Sequence, residues 1–169
     1  TVVLNNDGFN ELETNLINEL KNKKIKYYQN VKKIPISNNI ISILNTKEYD
    51  NENDNSNVIY MELNNYKFMF MGDVGVDKEK DILERYNISN IDVLKVGHHG
   101  SKTSSSKSFI NKIKPKCSII SVGKNNRYGH PNKEVLNNLD HSKIYRTDED
   151  GSIMFKIKNN KLKIETCSP

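Results

Sequence analysis

One carboxylate and three imidazoles in this sequence are chemically reactive groups and stand where functional sites usually form. Asp73 and the adjacent pair His98 and His99 each follow an apolar stretch, and His130 lies in a loop that contains Gly and Pro. α/β proteins place their reactive groups at such strand ends and in the neighbouring loops. Carboxylate oxygens and imidazole nitrogens are ligands for zinc and manganese. Because two adjacent imidazoles at a strand end cannot both point the same way, one can face a metal or a substrate while its neighbour orients a second group.

Each of these residues also has a simpler interpretation. Asp73 can cap the turn or helix that follows it, one of His98 and His99 can bond to a loop carbonyl, and His130 can pack beneath the start of a helix. Together they favour a common site, because the carboxyl ends of neighbouring parallel strands lie on one edge of a sheet. A carboxylate and an imidazole that converge at that edge would form half of a metal centre.

The elements that must hold these groups are short strands and helices. The clearest is a hairpin whose strands, 58–63 and 66–71, flank the turn residues Asn64 and Asn65. The apolar spacing predicts further strands over 2–4, 25–28, 40–44, 91–96, 117–122 and 144–146, and a last hairpin of 153–157 with 162–164. It predicts helices from Asp7 and Gly8 to the lysines at 21–24, and over 78–86, 106–113 and 133–139. The polar residues 49–57 predict a loop, most simply a mobile surface loop. The mixture predicts an α/β sheet with helices packed outside it.

Composition limits the class of protein. The chain has 169 residues, which suits one domain, and no apolar run approaches the roughly 20 residues of a membrane span. Its formal net charge is +5, from 26 basic and 21 acidic residues, which fits a solvated surface better than a dedicated nucleic-acid groove and is compatible with an anionic substrate. The first residues lack the basic start and long apolar stretch of a signal peptide. Cys117 and Cys167 form neither a disulfide framework nor a zinc finger.

Several short loop motifs of the sequence resemble the metallo-β-lactamase domain of ComEC-type competence proteins. The matching segments are residues 53–56, 72–73, 92–106, 128–131 and 145–148, with Gly151. The resemblance spans about residues 40 to 157, and the long segment 92–106, which contains Gly-His-His-Gly-Ser, carries most of its specificity.

The resemblance implies an α/β (α+β) fold, the αββα sandwich of the metallo-β-lactamases, with a two-metal hydrolase site. The H-x-H-x-D-H-like or D-x-D-H-like motif that supplies the remaining ligands in this family is absent from the sequence. The family carries that motif in the first half of its fold, so residues 1–169 are expected to form a single, partial domain that lacks part of its N-terminal half. The implied cofactors are two divalent metal ions, zinc or manganese, in the complete domain, with weak binding or none in this chain.

Family roles carry over to individual residues. Asp73 matches the bridging carboxylate that binds both metals. His99, directly before Gly100, matches the terminal metal-binding histidine, and His98 then faces the substrate or lies behind the ligands; the assignment of these two can be reversed. His130 matches a loop histidine near the active site, and either His98 or His130 could donate to a phosphate oxygen as a catalytic residue.

Residues after the histidine pair are candidate substrate ligands, namely Ser101, Lys102 and Ser104. The serine hydroxyls could bind a phosphate or cap the next helix, and capping is the more frequent role. Asp148 and Gly151 match a structural turn.

The implied function is metal-dependent hydrolysis of a phosphodiester by the DNase domain of a competence DNA-uptake protein, inactive or weak in this chain alone. Two other classes stay open: a small-molecule phosphoesterase of the phosphorylcholine-esterase type, and a non-catalytic remnant that only binds. The expected partners are DNA or another phosphodiester, the missing N-terminal half of the domain and, in a full-length protein, a membrane channel. A ComEC-type protein would place the domain on the extracellular face of the membrane. Otherwise a secreted or cytoplasmic location is expected, since the chain carries no targeting signal.

Overall fold

Short helices and strands alternate along the chain in the computed structural model, which describes residues 1–4 and 10–168. The helices are α1 (Glu11–Asn22), α2 (Val76–Arg85), α3 (Lys107–Ile113), α4 (Lys133–Asn138) and α5 (Thr147–Asp150), with 3-10 turns at Glu52–Asn55 and Gly97–Gly100. The strands are β1 (Val2–Val3), β2 (Tyr27–Tyr28), β3 (Lys33–Ile36), β4 (Asn39–Ile43), β5 (Ile59–Leu63), β6 (Tyr66–Phe70), β7 (Val93–Lys95), β8 (Cys117–Ile120), β9 (Lys143–Arg146), β10 (Ser152–Lys158) and β11 (Lys161–Cys167). The predicted helix start at Asp7 and Gly8 lies outside the described residues, and α1 begins after Asn10, which caps it.

Seven of these strands form one sheet in their order along the chain, from β3 to β9. The half from β3 to β6 is antiparallel, and the half from β6 to β9 is parallel. In the parallel half, Met69 pairs with Leu94, and Leu94 pairs with Ser118. The carboxyl ends of β6, β7 and β8 therefore lie side by side at one edge, as the sequence predicts.

The predicted β5–β6 hairpin is confirmed together with its turn. Asn64 and Asn65 have φ angles of 49° and 67°. Two consecutive left-handed residues are what a two-residue hairpin turn with the right twist requires, and Asn accepts that conformation more readily than most residues. The turn places Ile59 opposite Phe70 and so sets the register of the strand that ends beside Asp73.

The hydrophobic core lies between one face of the sheet and the helices. Met69, Leu94 and Ile120 point to this face and are fully buried. They belong to one apolar cluster with Ile82 of α2 and Phe109 of α3. Because side chains alternate along a strand, the residues between them point to the opposite face.

That opposite face is partly covered by the β10–β11 hairpin. Phe155 contacts Phe68 edge to face, with 6.5 Å between the ring centres. The Tyr66 hydroxyl donates to the carbonyl oxygen of Asn160 at 3.1 Å and accepts from the backbone N–H of Leu162 at 3.1 Å. An apolar cavity of about 370 Å³ lies between hairpin and sheet. The predicted mixed α/β architecture with helices outside the sheet is confirmed, whereas the αββα sandwich stays a prediction.

Two elements differ from the sequence prediction. The sequence does not predict β3, because proline usually breaks strands. In the structure, Pro35 lies in β3 at the edge of the sheet, where its missing N–H leaves no hydrogen bond between strands unmade. The turn predicted at Asp148 is a short helix, α5, which ends at Gly151. No helix within the described parts of the chain has both the length and the apolarity to cross a membrane.

Candidate functional site

The loops that follow β6, β7 and β8 meet at the carboxyl edge of the sheet. The backbone N–H of His98 donates to the carbonyl oxygen of Gly72 at 2.9 Å, which ties the first two loops together. His99 Nε2 lies 4.0 Å from Oδ1 of Asp73. The His130 ring centre lies 6.2 Å from that of His98. The predicted convergence of these residues is confirmed, and their chemical roles stay predictions.

Gly72 provides the bend that carries Asp73 away from its strand. Its φ is +62°, and a Cβ atom there would lie 2.7 Å from the Cβ of Ser56. The backbone N–H of Asp73 donates to the hydroxyl of Ser56 at 3.2 Å. The close approach needs glycine, as its place behind an apolar strand suggests.

The histidine pair lies in a left-handed turn. His98 and His99 have φ angles of 46° and 54°, and Gly100 follows with φ +80°. A left-handed residue other than glycine costs about 1–2 kcal/mol, so contacts around the turn must hold it. The two rings are 6.5 Å apart and inclined by 64°, so they face different directions, as predicted for neighbouring imidazoles.

His99 is oriented as a metal ligand would be. Its Nδ1 lies 2.6 Å from the backbone carbonyl oxygen of Ser121. A carbonyl only accepts, so Nδ1 carries a proton, and in the neutral ring the Nε2 lone pair then lies on the side of Asp73. Metal-binding histidines are fixed in this way by a bond from the other ring nitrogen. His98 has a weaker anchor, since its Nδ1 lies 3.5 Å from the hydroxyl of Thr103. Of the two assignments left open by the sequence, the geometry favours His99 as the ligand.

His130 is held by its own loop. Asn126 accepts from the backbone N–H of His130 at 2.9 Å and donates to its carbonyl oxygen at 2.7 Å. Burial lowers the pKa of His130, and the charges of His98 and His99 lower it further. A neutral imidazole at pH 7 can donate from one ring nitrogen and accept at the other.

The serines after the histidine pair hold the turn. Ser104 is 2% exposed, and its hydroxyl lies 2.9 Å from the carbonyl oxygen of Gly97 and 3.0 Å from that of Ser101. Neither Ser101 nor Ser104 caps α3; that role belongs to Ser106, whose hydroxyl accepts from the N–H of Phe109. The capping prediction is wrong for these two residues.

The three residues predicted to bind substrate, Ser101, Lys102 and Ser104, differ in their exposure. Ser101 and Ser104 are buried, so the structure does not present their hydroxyls to a ligand. Lys102 is exposed between them. Among the three candidates, Lys102 alone is exposed to solvent, and the substrate-binding role of all three stays a prediction.

A buried polar cluster beneath Asp73 was not predicted from the sequence. Asp54 is 6% exposed and accepts from the backbone N–H of Gly75 at 2.6 Å. Lys78 is fully buried and donates to the carbonyl oxygen of Ser56 at 2.9 Å; burial lowers its pKa to about 8. The segment at 49–57 is therefore not simply a surface loop, because part of it supports the bend that carries Asp73. The resemblance at 53–56 was the signal that could have identified it.

Lys95 is a second residue near the site that sequence reasoning missed. Burial lowers the pKa of Lys95, and the negative charge of Asp73 opposes this shift. The signal was present in the sequence, since a lysine stands between the apolar residues Leu94 and Val96 of the predicted strand 91–96.

Asp148 lies in the short helix α5 rather than in the predicted turn, and its contacts there are structural. The Arg146 guanidinium donates to Asp148 at 2.6 Å and holds the pKa of that carboxyl below its usual range. The Thr147 hydroxyl donates to the carbonyl oxygen of Val122 at 2.7 Å and accepts from its N–H at 2.8 Å. These bonds fix the loop that follows β8, from which Ser121 reaches His99.

Asp73 and His99 supply two donor groups for a metal ion. Within residues 1–4 and 10–168, no group of three or more His, Cys, Asp or Glu side chains is arranged to hold one.

Known proteins resemble this chain over about two thirds of its length. It is 43% identical over 110 residues to ComE operon protein 3 of Bacillus subtilis (strain 168), covering 64% of this chain and 14% of that protein. It is 33% identical over 118 residues to Competence protein ComA of Neisseria gonorrhoeae, covering 68% of this chain and 17% of that protein. Recombination protein 2 of Haemophilus influenzae is 32% identical over 116 residues, covering 68% of this chain and 14% of that protein.

These similarities relate the chain to competence proteins. The matched part spans less than a fifth of the length of each relative, from 14% to 17%. No family model matches the chain.

Proposed function

We propose that this chain is part of a metallo-β-lactamase-type phosphodiester hydrolase that acts on DNA in a ComEC-type competence protein. The observation that carries the proposal is the pairing of Asp73 with His99, whose Nε2 lies 4.0 Å from Oδ1 while Nδ1 is bonded to the Ser121 carbonyl. The relation to competence proteins supports DNA as the substrate and the extracellular face of a membrane as the location.

Asp73 and His99 fit a divalent metal ion by their donor atoms. A carboxylate oxygen and an imidazole nitrogen suit zinc and manganese, and the anchored Nδ1 of His99 fixes the ring in the tautomer that binds a metal through Nε2. When bound there, such an ion supplies Lewis-acid polarisation of a phosphoryl oxygen.

Two protein ligands are fewer than the three that catalytic zinc sites provide. The proposal therefore includes further ligands from a longer protein, in the H-x-H-x-D-H-like motif of the preceding half of the domain. The length of the relatives supports this, because the matched part of this chain spans 14% to 17% of each of them.

The other residues of the site bind and orient the phosphate. His98 and His130 lie beside Asp73 and His99, and a neutral His130 can donate a hydrogen bond to a non-bridging or leaving oxygen. The exposed Lys102 attracts the phosphate by its charge. Ser101 and Ser104 do not contact the phosphate; they hold the turn that contains His98 and His99.

The test is cleavage of linear DNA with added manganese by the chain extended with its upstream coding sequence, beside the 169-residue chain alone. We expect turnover by the extended protein and little or none by the chain alone. Asp73→Asn should abolish most of that turnover, whereas Asp77→Asn, which changes an exposed carboxylate in the first turn of α2, should not. Equal turnover by the extended protein and its Asp73→Asn variant would remove Asp73 from the reaction.

The same assay separates the other two functions. Cleavage of a phosphorylcholine ester without cleavage of DNA would indicate a small-molecule phosphoesterase. An extended protein that cleaves neither substrate would indicate a non-catalytic remnant.

A further inference from the structure

An exposed aromatic stack stands beside the candidate site, on the loop that follows β8. The rings of Tyr128 and His130 are stacked with 5.8 Å between centres and 18° between planes. The Arg127 guanidinium lies 4.8 Å from the centre of the Tyr128 ring, and Arg127 also donates to the Tyr128 hydroxyl. Tyr128 is nevertheless 66% exposed. The ring therefore contributes little to the core, and the mobile side chain of an exposed arginine lies over it.

The stack is held in place by the loop around it. Asn126 bonds to both backbone groups of His130. The N–H of Asn132 donates to the carbonyl oxygen of Gly100 at 2.8 Å, which ties the loop to the histidine turn. An exposed ring on a fixed loop loses little conformational freedom when a ligand packs on it.

A planar ligand with an attached anion fits these groups. An exposed aromatic ring stacks on nucleobases whatever their sequence, and arginine binds phosphate through its planar fork of donors. Arg127 is exposed, so its guanidinium is not packed in place and would leave the ring to bind a phosphate next to a stacked base. Exposed lysines stand on the same loop and on the histidine turn, at Lys124 and Lys102.

We propose that Tyr128 is a stacking platform for an unpaired nucleobase and that Arg127 binds the adjacent phosphate. This deepens the proposed function, on which it rests for the choice of a nucleic acid, by naming single-stranded nucleic acid as the form that is bound. The faces of paired bases are covered by their neighbours, so a duplex reaches the platform only at a frayed or open end. The stack on His130 places the bound base beside His98 and the carboxyl edge of the sheet.

Binding is measured with the 169-residue chain in EDTA, so that neither metal binding nor cleavage enters. The probe is a fluorescein-labelled oligothymidylate of about 12 nucleotides, followed by fluorescence anisotropy. We expect Tyr128→Ala to weaken binding about 5- to 100-fold and Tyr128→Phe to leave it unchanged, because stacking needs the ring and not the hydroxyl. Arg127→Ala should reduce the slope of log affinity against log salt by about 0.7, since one phosphate contact is lost.

Two controls separate stacking from general attraction. A strand of the same length with abasic sites should bind the natural chain as weakly as oligothymidylate binds Tyr128→Ala. Tyr28→Ala, which removes another exposed tyrosine on β2, should not weaken binding. Three results would each overturn the proposal. They are an unchanged affinity of Tyr128→Ala for oligothymidylate, equal affinities of the natural chain for the abasic strand and for oligothymidylate, and no binding of oligothymidylate by the natural chain. Metal-dependent cleavage by the extended protein is a separate measurement, so either proposal can fail while the other stands.

Discussion

Asp73 and His99 face each other across the loops of two neighbouring parallel strands, with 4.0 Å between Oδ1 and Nε2. The side chain of His99 is 51% exposed and that of Asp73 is 45% exposed, so a ligand can reach both. The far side of the imidazole is anchored to the carbonyl of Ser121 on the next loop. Three consecutive strand ends thus determine how one carboxylate and one imidazole meet.

The first prediction concerns metal affinity. Because Asp73 and His99 would provide only two protein ligands, we expect the 169-residue chain to bind zinc or manganese weakly and His99→Ala to remove what binding there is. His141→Ala is the matched control, since His141 is an exposed histidine in the loop between α4 and β9. The measurement is isothermal titration calorimetry. Tight, stoichiometric zinc binding by the natural chain would contradict the proposal that further ligands come from a longer protein.

The second prediction concerns the histidine turn. At Gly100, with φ +80°, a Cβ atom would lie 2.7 Å from the Cβ of Pro131. We expect Gly100→Ala to lower the free energy of unfolding by about 2 kcal/mol or more, from the left-handed backbone and the displaced proline.

Gly123→Ala is the control for Gly100→Ala, because a Cβ atom at Gly123 meets nothing within 4 Å. Its effect should stay within about 0.5 kcal/mol, the usual range for surface changes. The measurement is urea denaturation. Similar midpoints for the two variants would show that the packing of the turn against Pro131 contributes little.

The third prediction concerns the buried support of Asp73. Asp54→Ala leaves the N–H of Gly75 without its acceptor. It also removes a negative charge that raises the pKa of the buried Lys78 against the effect of burial. We expect a loss of about 2–4 kcal/mol in the free energy of unfolding. Asp50→Ala, an exposed carboxylate just before the same 3-10 turn, should change it little. A chemical denaturation series in which Asp54→Ala matches Asp50→Ala would contradict this.

The fourth prediction concerns pH. Glu79 is 1% exposed, and burial raises its pKa to about 7, although the N–H groups of Ser105 and Ser106 donate to its carboxylate and oppose the shift. Between pH 4.5, the ordinary value for a glutamate, and about 7, the folded chain keeps a proton that the unfolded chain has released. The contribution of Glu79 to stability is therefore complete below about pH 4.5 and is lost as the pH rises through 7.

Glu79→Gln isolates this effect, because an amide does not titrate in that range. The free energy of unfolding of the natural chain should fall, relative to the variant, by on the order of 3 kcal/mol between pH 4.5 and 8. Denaturant unfolding at a series of pH values measures the difference. Parallel curves for the two proteins would mean that the donated hydrogen bonds compensate the burial of Glu79.

Much of the fold is predictable from short stretches of the chain. The β5–β6 hairpin follows from alternating apolar residues around Asn64 and Asn65, and the start of α3 was predicted within one residue of where it lies. The positions of Asp73 and of His98 and His99 at strand ends follow in the same way. These features depend on residues close in sequence, whose propensities act whatever the rest of the chain does.

The way the site is assembled depends on tertiary contacts that no local pattern contains. The left-handed backbone of His98 and His99 is held by Ser104 and by the loop that contains Asn132, and the tautomer of His99 by Ser121. Asp54 looks like a surface residue in its polar segment, yet it is buried because α2 begins against it. Amino-acid types and spacing in the sequence thus determined which groups reach the edge of the sheet. Tertiary structure decided which nitrogen faces the carboxylate, because that choice depends on hydrogen bonds between separate loops.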